Sequence, residues 1–112
     1  MDVAGAFHTS LMDSACLPCE EALNSIGIMK PRINVMSNVT GTVHTTAREI
    51  KRLLVEQINH PVHWEQILHR LYMRPDESSY PSTIAVGPGT SLGPILKRVN
   101  APAFQKYRDI SV

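Results

Sequence analysis

Hydrophobic and polar positions alternate along the chain with two spacings, one typical of strands and one typical of helices. Short apolar runs bounded by turn residues predict three buried strands, at residues 3–7, 32–37 and 83–86. Apolar residues at helical spacing predict four helices, at residues 10–25, 46–58, 61–71 and 92–99. The stretch RPDESSYPS, residues 74–82, is predicted to be a loop.

Strands that alternate with helices predict an α/β fold in which helices flank a parallel sheet. Three strands are few for that architecture. The fold class we expect is therefore a partial three-layer α/β structure, and the chain is interpreted as part of a sheet rather than a whole one.

Local signals place several of the element ends. Thr46 and Glu49 have the spacing of a capping box at a helix start. Pro61 is expected to stop that helix and to open the next one, because proline suits a first helical turn. Pro18 predicts either a kink or the first turn of a second helical piece.

Composition excludes several classes of protein. With 112 residues the chain holds at most one domain of ordinary size, and its net charge of +1 argues against a nucleic-acid partner. No apolar stretch is long enough to cross a membrane. Met1-Asp2-Val3 does not have the form of a signal peptide, and two cysteines are too few for a secreted disulfide framework. An intracellular protein is expected.

Cysteine and serine motifs offer two chemistries that we weigh against structural roles. Cys16 and Cys19 have C-x-x-C spacing, but the segment before them looks helical, whereas a redox site needs a strand there. A zinc site would need His60 and His63 as further ligands, and nothing else supports one, so we predict no metal. Residues 89–93 match G-x-S-x-G, so a serine esterase using Ser91 is an alternative function.

His8 is the most informative titratable residue, because it stands where a predicted strand gives way to a helix. Open α/β sheets bind ligands outside the carboxyl ends of their strands, so His8 is a candidate general base. Gln57 lies in the last turn of a predicted helix, where carbonyl groups have no intrahelical donor. Its carbonyl could accept the His8 Nδ1–H and leave Nε2 free. The alternative is an ordinary frayed helix end bonded to water.

Four segments, in order, resemble the C-terminal part of the malonyl-CoA:acyl-carrier-protein transacylase family. They are GAFHTSLM, VMSNVTG, LLVEQINHPVHWEQIL and AVGPGTSLGPILKRV. The tail, NAPAFQKYRDISV, is similar to the mitochondrial branch of the family. The likeness covers nearly the whole chain, so residues 1–112 are interpreted as an incomplete C-terminal part of one transferase domain.

The resemblance implies roles for three residues. In the family, a serine in a G-H-S-x-G elbow takes malonyl from coenzyme A and passes it to the phosphopantetheine thiol of acyl carrier protein. His8 matches the histidine that deprotonates this serine, and Gln57 matches the glutamine whose backbone carbonyl holds the imidazole. Phe7 matches a position that goes with malonyl rather than bulkier acyl groups.

The resemblance also implies partners and limits. Malonyl-CoA is the expected substrate, acyl carrier protein the expected partner, and no bound cofactor is expected. The elbow serine, the oxyanion-hole segment and the ferredoxin-like subdomain of the family have no counterpart here, so we expect the chain alone to be inactive. A mitochondrial matrix location follows from the resemblance, without a targeting peptide in this sequence. A non-catalytic carrier-protein-binding module or truncated isoform is the alternative.

Overall fold

Helices make up most of the regular structure in residues 4–73 and 80–112, which are the residues that the computed structural model describes. The elements in chain order are a 3-10 helix Ser10–Ala15, α1 Cys16–Asn24, α2 Ala47–Glu56, α3 Trp64–Tyr72, β1 Thr83–Val86, α4 Leu92–Val99, α5 Ala101–Phe104 and β2 Tyr107–Ile110. They fall into two compact units, Met1–Trp64 and Glu65–Val112. None of the helices in the described residues has the length and apolar character needed to cross a membrane.

In the first unit, α1 packs against α2. Ile50 and Leu53 lie on the buried face of α2. The predicted capping box is present, since the Thr46 hydroxyl accepts the Glu49 N–H at 3.1 Å. The Glu49 carboxylate in turn accepts from the Thr45 N–H at 2.7 Å and from the Thr45 hydroxyl. These bonds favour the charged form of Glu49 and so lower its pKa. The bond from the Thr45 hydroxyl has the largest effect.

Two of the predicted strands are wrong in the described residues. Residues 4–7 form no strand, because no neighbouring strand pairs with them there and an unpaired strand leaves its backbone groups unsatisfied. Residues 32–37 contribute one antiparallel bridge, Met36 with Val43. The turn before Thr42 folds this segment back on itself, so that the Ser37 N–H donates to the Thr42 carbonyl at 2.8 Å.

One predicted helix divides as one of its two predicted alternatives has it, and another begins later than predicted. The segment predicted as one helix over residues 10–25 divides at Cys16, and Pro18 lies in the first turn of α1, which is one of the two predicted alternatives. Residues 61–63 are not helical, and α3 begins at Trp64. The His63 N–H donates to the Asn38 carbonyl at 2.8 Å. The backbone at His63 is therefore bonded to another segment, and the helix starts at the next residue. Residues 74–79 of the predicted loop lie outside the described residues.

In the second unit, β1 and β2 pair in parallel, with Thr83 opposite Tyr107 and Val86 opposite Ile110. The predicted α/β class is thus confirmed, and β1 and α4 have their predicted bounds. Among the described residues of this unit, five side chains are buried; they are Ile67, Leu68, Tyr72, Leu96 and Ala103. The sequence did not predict β2, because three of its four residues are exposed and it lacks an apolar pattern.

Candidate active site

His8 adopts a backbone conformation that is rare for a residue with a side chain. Its φ is +64°, and among residues 4–73 and 80–112 no other non-glycine residue has a positive φ. A Cβ in the left-handed region costs roughly 1–2 kcal/mol, although histidine tolerates it better than most residues. The turn is closed around His8 by the Thr9 hydroxyl, which donates to the Ala6 carbonyl at 2.7 Å.

Two carbonyl groups at the end of α2 hold His8 in that conformation. The His8 N–H donates to the Ile58 carbonyl at 2.9 Å, and the ring Nδ1 lies 2.6 Å from the Gln57 carbonyl oxygen. The Gln57 carbonyl, at the C-cap of α2, is available because a helix leaves its last four carbonyls without an intrahelical donor. The Ile58 carbonyl lies just beyond the helix. The contact predicted from the sequence is therefore present.

The same contact fixes which ring nitrogen carries the proton. A carbonyl oxygen can accept but cannot donate, so His8 Nδ1 must be the donor in its bond to Gln57. In the neutral ring, Nε2 is then the unprotonated nitrogen. Because His8 is exposed, Nε2 can act as a base toward a group that approaches it at the surface.

Phe7, the candidate substrate-contacting residue, precedes His8 directly and is 52% exposed. Its ring folds back over Gly5, where an added Cβ would lie 3.4 Å from Phe7 Cε2. About half of Phe7 is therefore open to contact by another group, one residue before the candidate base. Its role toward an acyl group stays a prediction.

Asn59 is a residue of this site that the sequence did not indicate. Its Nδ2 donates to Asp13 Oδ1 at 2.7 Å, which connects the end of α2 to the 3-10 helix that follows His8. A polar amide just beyond a helix end could have suggested such a contact, because Asn side chains often bond local backbone or turn groups. Its partner, 46 residues away in sequence, could not have been found that way.

Ser91 does not have the geometry of a nucleophile elbow. Its φ and ψ are −70° and −24°, an ordinary right-handed helical conformation, and it is the residue before α4. An elbow serine sits on a sharp, strained turn. The unusual backbone angles belong instead to Gly87 and Gly89, with φ of +147° and +81°. This geometry does not favour the esterase alternative.

The C-x-x-C pair shows no sign of redox or metal chemistry in its surroundings. Cys16 is the first residue of α1, but partial burial and then the nearby Asp13 charge raise the pKa of its thiol, which disfavours the reactive thiolate. His60 Nδ1 is engaged by the Glu56 carbonyl and by Asn59 Oδ1. Within the described residues, no three His, Cys, Asp or Glu side chains are grouped so as to hold a metal.

Several known proteins with similar sequences are named malonyl-CoA-acyl carrier protein transacylases. The chain is 44% identical over 112 residues to mitochondrial malonyl-CoA-acyl carrier protein transacylase of Mus musculus, and 41% identical over 112 residues to that of Homo sapiens. It is 45% identical over 103 residues to a probable mitochondrial transacylase of Drosophila melanogaster. All of this chain is matched in the first two cases, but it spans 29% of each of those relatives. No protein-family model matches the chain.

Solved structures give the same result. FabD of Acinetobacter baumannii is 28% identical with a TM-score of 0.79, covering 98% of this chain and 33% of FabD. Malonyl-CoA:acyl carrier protein transacylase of Xanthomonas oryzae pv. oryzae is 27% identical with a TM-score of 0.76, covering 99% of this chain and 33% of the enzyme.

The fold and the sequence relatives indicate the same class of protein. Its two-stranded parallel sheet and flanking helices match the C-terminal part of FabD-type acyltransferase structures. Over its whole length the chain is related to the malonyl-CoA-acyl carrier protein transacylases, including mitochondrial ones. The resemblance inferred from the sequence is confirmed, and the coverage of about a third fits a C-terminal part.

Proposed function

We propose that residues 1–112 are the C-terminal part of a transferase domain that moves a malonyl group from coenzyme A to acyl carrier protein. The observation that supports this most directly is the 2.6 Å contact between His8 Nδ1 and the Gln57 carbonyl. It leaves His8 Nε2 free in a chain that is 44% identical to a transacylase so named. In this proposal His8 is the general base and Gln57 the residue that orients it.

The proposed reaction has two half-reactions that share one proton path. A serine from the upstream part of the enzyme attacks the malonyl thioester, and its hydroxyl proton passes to His8 Nε2 as the C–O bond forms. The C–S bond then breaks, and the imidazolium returns the proton to the coenzyme A sulfur. In the second half, the carrier-protein thiol loses its proton to His8 and attacks the ester. The serine oxygen takes that proton back as it leaves.

Gln57 contributes orientation rather than charge. Its carbonyl accepts the Nδ1–H throughout, so the ring cannot turn and expose the wrong nitrogen. No carboxylate partner is required for His8 in this scheme. Malonyl-CoA enters as a substrate, and the scheme uses no resident metal or cofactor.

Phe7 is proposed to limit the size of the acyl group. A bulky ring beside the position of the substrate α-carbon would disfavour branched acyl groups by steric contact. Discrimination of about one methyl group is limited to the order of 1–3 kcal/mol, so we expect a preference for malonyl rather than complete exclusion of branched substrates.

The proposed location and partner of this protein are taken from the names of its relatives. Three of them are named mitochondrial, and we propose the mitochondrial matrix for this protein as well. Acyl carrier protein, which appears in the name of each, is the proposed partner. Because the proposed base has no nucleophilic serine of its own to serve, the chain alone is proposed to be inactive.

The test joins the chain to the upstream part of the mouse relative, in place of that enzyme's own C-terminal segment. We expect this chimera to transfer labelled malonyl from coenzyme A to carrier protein and the chain alone not to do so. His8→Ala in the chimera should reduce transfer by about 10³-fold, the scale of general acid–base catalysis. His69→Ala removes an exposed histidine of α3 and should leave transfer unchanged.

Other outcomes identify the alternatives. Near-parental transfer by the His8→Ala chimera would remove His8 from the mechanism. Suppose that the chain binds labelled carrier protein saturably but the chimera transfers no malonyl group. That result would favour a non-catalytic binding module. Labelling of the chain by a fluorophosphonate probe, lost in Ser91→Ala, would revive the esterase.

A further inference from the structure

Three consecutive residues directly after α2, Gln57 to Asn59, each contact the segment that carries His8. The Gln57 carbonyl meets the His8 ring, the Ile58 carbonyl accepts the His8 N–H, and the Asn59 amide donates to Asp13. The first two contacts are made by main-chain carbonyls and do not depend on which side chains stand at 57 and 58. The third is made by side chains on both sides.

The Asn59 amide is fixed in orientation by its two neighbours. An ionised carboxylate only accepts, so the group that faces Asp13 at 2.7 Å must be the Nδ2 donor. The amide oxygen then faces His60 Nδ1 at 2.7 Å, and that nitrogen also lies 2.8 Å from the Glu56 carbonyl. Two acceptors at one ring nitrogen require that it carry the proton. Both ends of the amide therefore have a partner that suits them.

This arrangement matters because the conformation of His8 is strained. A residue in the left-handed region persists when the surrounding structure holds it there. The carbonyl contacts of His8 can form only while the two segments keep their spacing. Asp13, five residues after His8 on the 3-10 helix, sets that spacing on the far side of the turn through its charge-assisted bond to Asn59.

We propose that Asn59 is a positioning residue that, through Asp13, keeps the His8 ring on the Gln57 carbonyl and so keeps Nε2 unprotonated. Its importance for catalysis rests on the proposed function, whereas its effect on the His8 ring does not. The prediction is that the tautomer of His8 depends on a side-chain pair that does not touch the ring.

The experiment reads the His8 ring nitrogens by ¹⁵N NMR in the full 112-residue chain, where protonated and unprotonated nitrogens have well-separated shifts. In the parent, Nδ1 should carry the proton. In Asn59→Ala we expect the ratio of Nδ1–H to Nε2–H forms to fall about tenfold, the scale of one lost hydrogen bond to a charged group. Asn59→Asp should have a larger effect, because two carboxylates then face each other.

A reversal of the pair tests the contact itself. The double variant Asp13→Asn with Asn59→Asp exchanges donor and acceptor but keeps both bonds, including the oxygen that faces His60. It should restore the parental tautomer ratio that Asn59→Asp loses. Arg52→Ala removes a different side-chain pair, the 2.7 Å bond to Glu56 within α2, and should leave the His8 ring unchanged.

Clear results overturn the proposal. A tautomer ratio within twofold of the parent in Asn59→Ala, with helix content intact by circular dichroism, would do so, and so would a double variant that fails to restore the ratio. Should Asn59→Ala not fold, the double variant decides alone. The NMR measurement needs no substrate, so it tests the role of Asn59 separately from the transfer assay. If the transfer assay failed, the result on the His8 tautomer would still hold.

Discussion

The two units of this chain hold their important residues by different means. In Glu65–Val112, α4 packs against α5 and β2, and side chains such as Leu96 and Ala103 are buried. Around His8 in Met1–Trp64, side chains are exposed or half-buried, and the turn is held by hydrogen bonds to the end of α2. One region depends on apolar area and the other on directed polar contacts.

The difference follows from what each region has to do. Apolar burial is non-directional and stabilises any well-packed arrangement roughly in proportion to area. A base that must present one particular nitrogen needs a contact with a direction, which a carbonyl oxygen at a helix end supplies. The His8 turn is therefore expected to be sensitive to backbone conformation, and the sheet unit to changes in side-chain volume.

The largest expected effect is in the sheet unit. Leu96 is 2% exposed, and Leu96→Ala should lower the free energy of unfolding by about 3 kcal/mol, since it removes apolar area and leaves a cavity. Urea unfolding measures this. The neighbouring Ile95→Ala is the matched control, because Ile95 is 38% exposed and should lose markedly less. Equal losses at the two positions would show that burial does not hold this unit together.

An intermediate effect is expected at the His8 turn. His8→Gly and His8→Ala both lose the ring, but glycine also relieves the strain of a φ of +64°. His8→Gly should therefore be more stable than His8→Ala by about 1 kcal/mol in urea unfolding. At Arg52, in the middle of α2, the order should reverse, because glycine is about 1 kcal/mol worse than alanine in a helix. The same order at both positions would contradict a strained turn.

The smallest expected effect is at the start of α2, where the Glu49 carboxylate accepts hydrogen bonds from Thr45. The hydrogen bonds from Thr45 lower the pKa of Glu49 below its usual 4.5 in the folded state. Its contribution to stability is thus fully present above pH 4.5 and is lost as pH falls through the lower folded-state value. The parent should be more stable than Glu49→Gln at neutral pH. That advantage should shrink below pH 4.5.

Unfolding curves of both proteins across this pH range measure the difference. Thr45→Ala removes the hydroxyl donor and should reproduce part of the change. A difference between parent and Glu49→Gln that stays constant with pH would show that the carboxylate bonds add nothing to folding.

Local chemistry in the sequence was enough to predict several elements. Thr46 and Glu49 marked the start of α2, residues 92–99 gave the bounds of α4, and residues 83–86 gave those of β1. These predictions succeed because capping and apolar periodicity act over a few residues. The resemblance carried by the four sequence segments indicated His8 and Gln57, and the orphan carbonyl of a helix end indicated why the two should meet.

Other features depended on pairing between distant segments. Residues 4–7 looked like a strand but pair with none in the described residues, while β2 is a strand in spite of its polar pattern because β1 lies beside it. Strand formation depends on a partner, and a single sequence does not identify one. The contact of Asn59 with Asp13 was missed for the same reason.

The sequence by itself determined where the helices α2 and α4 form, which residue can serve as a base, and which family the chain resembles, because these properties belong to short stretches of residues. Only the tertiary structure decided that His8 takes a left-handed conformation, that its Nδ1 donates to the Gln57 carbonyl, and that Asn59 donates to Asp13. The physical reason is that a hydrogen bond needs two groups at a set distance and angle. Folding alone brings together groups that stand 49 residues apart in the chain.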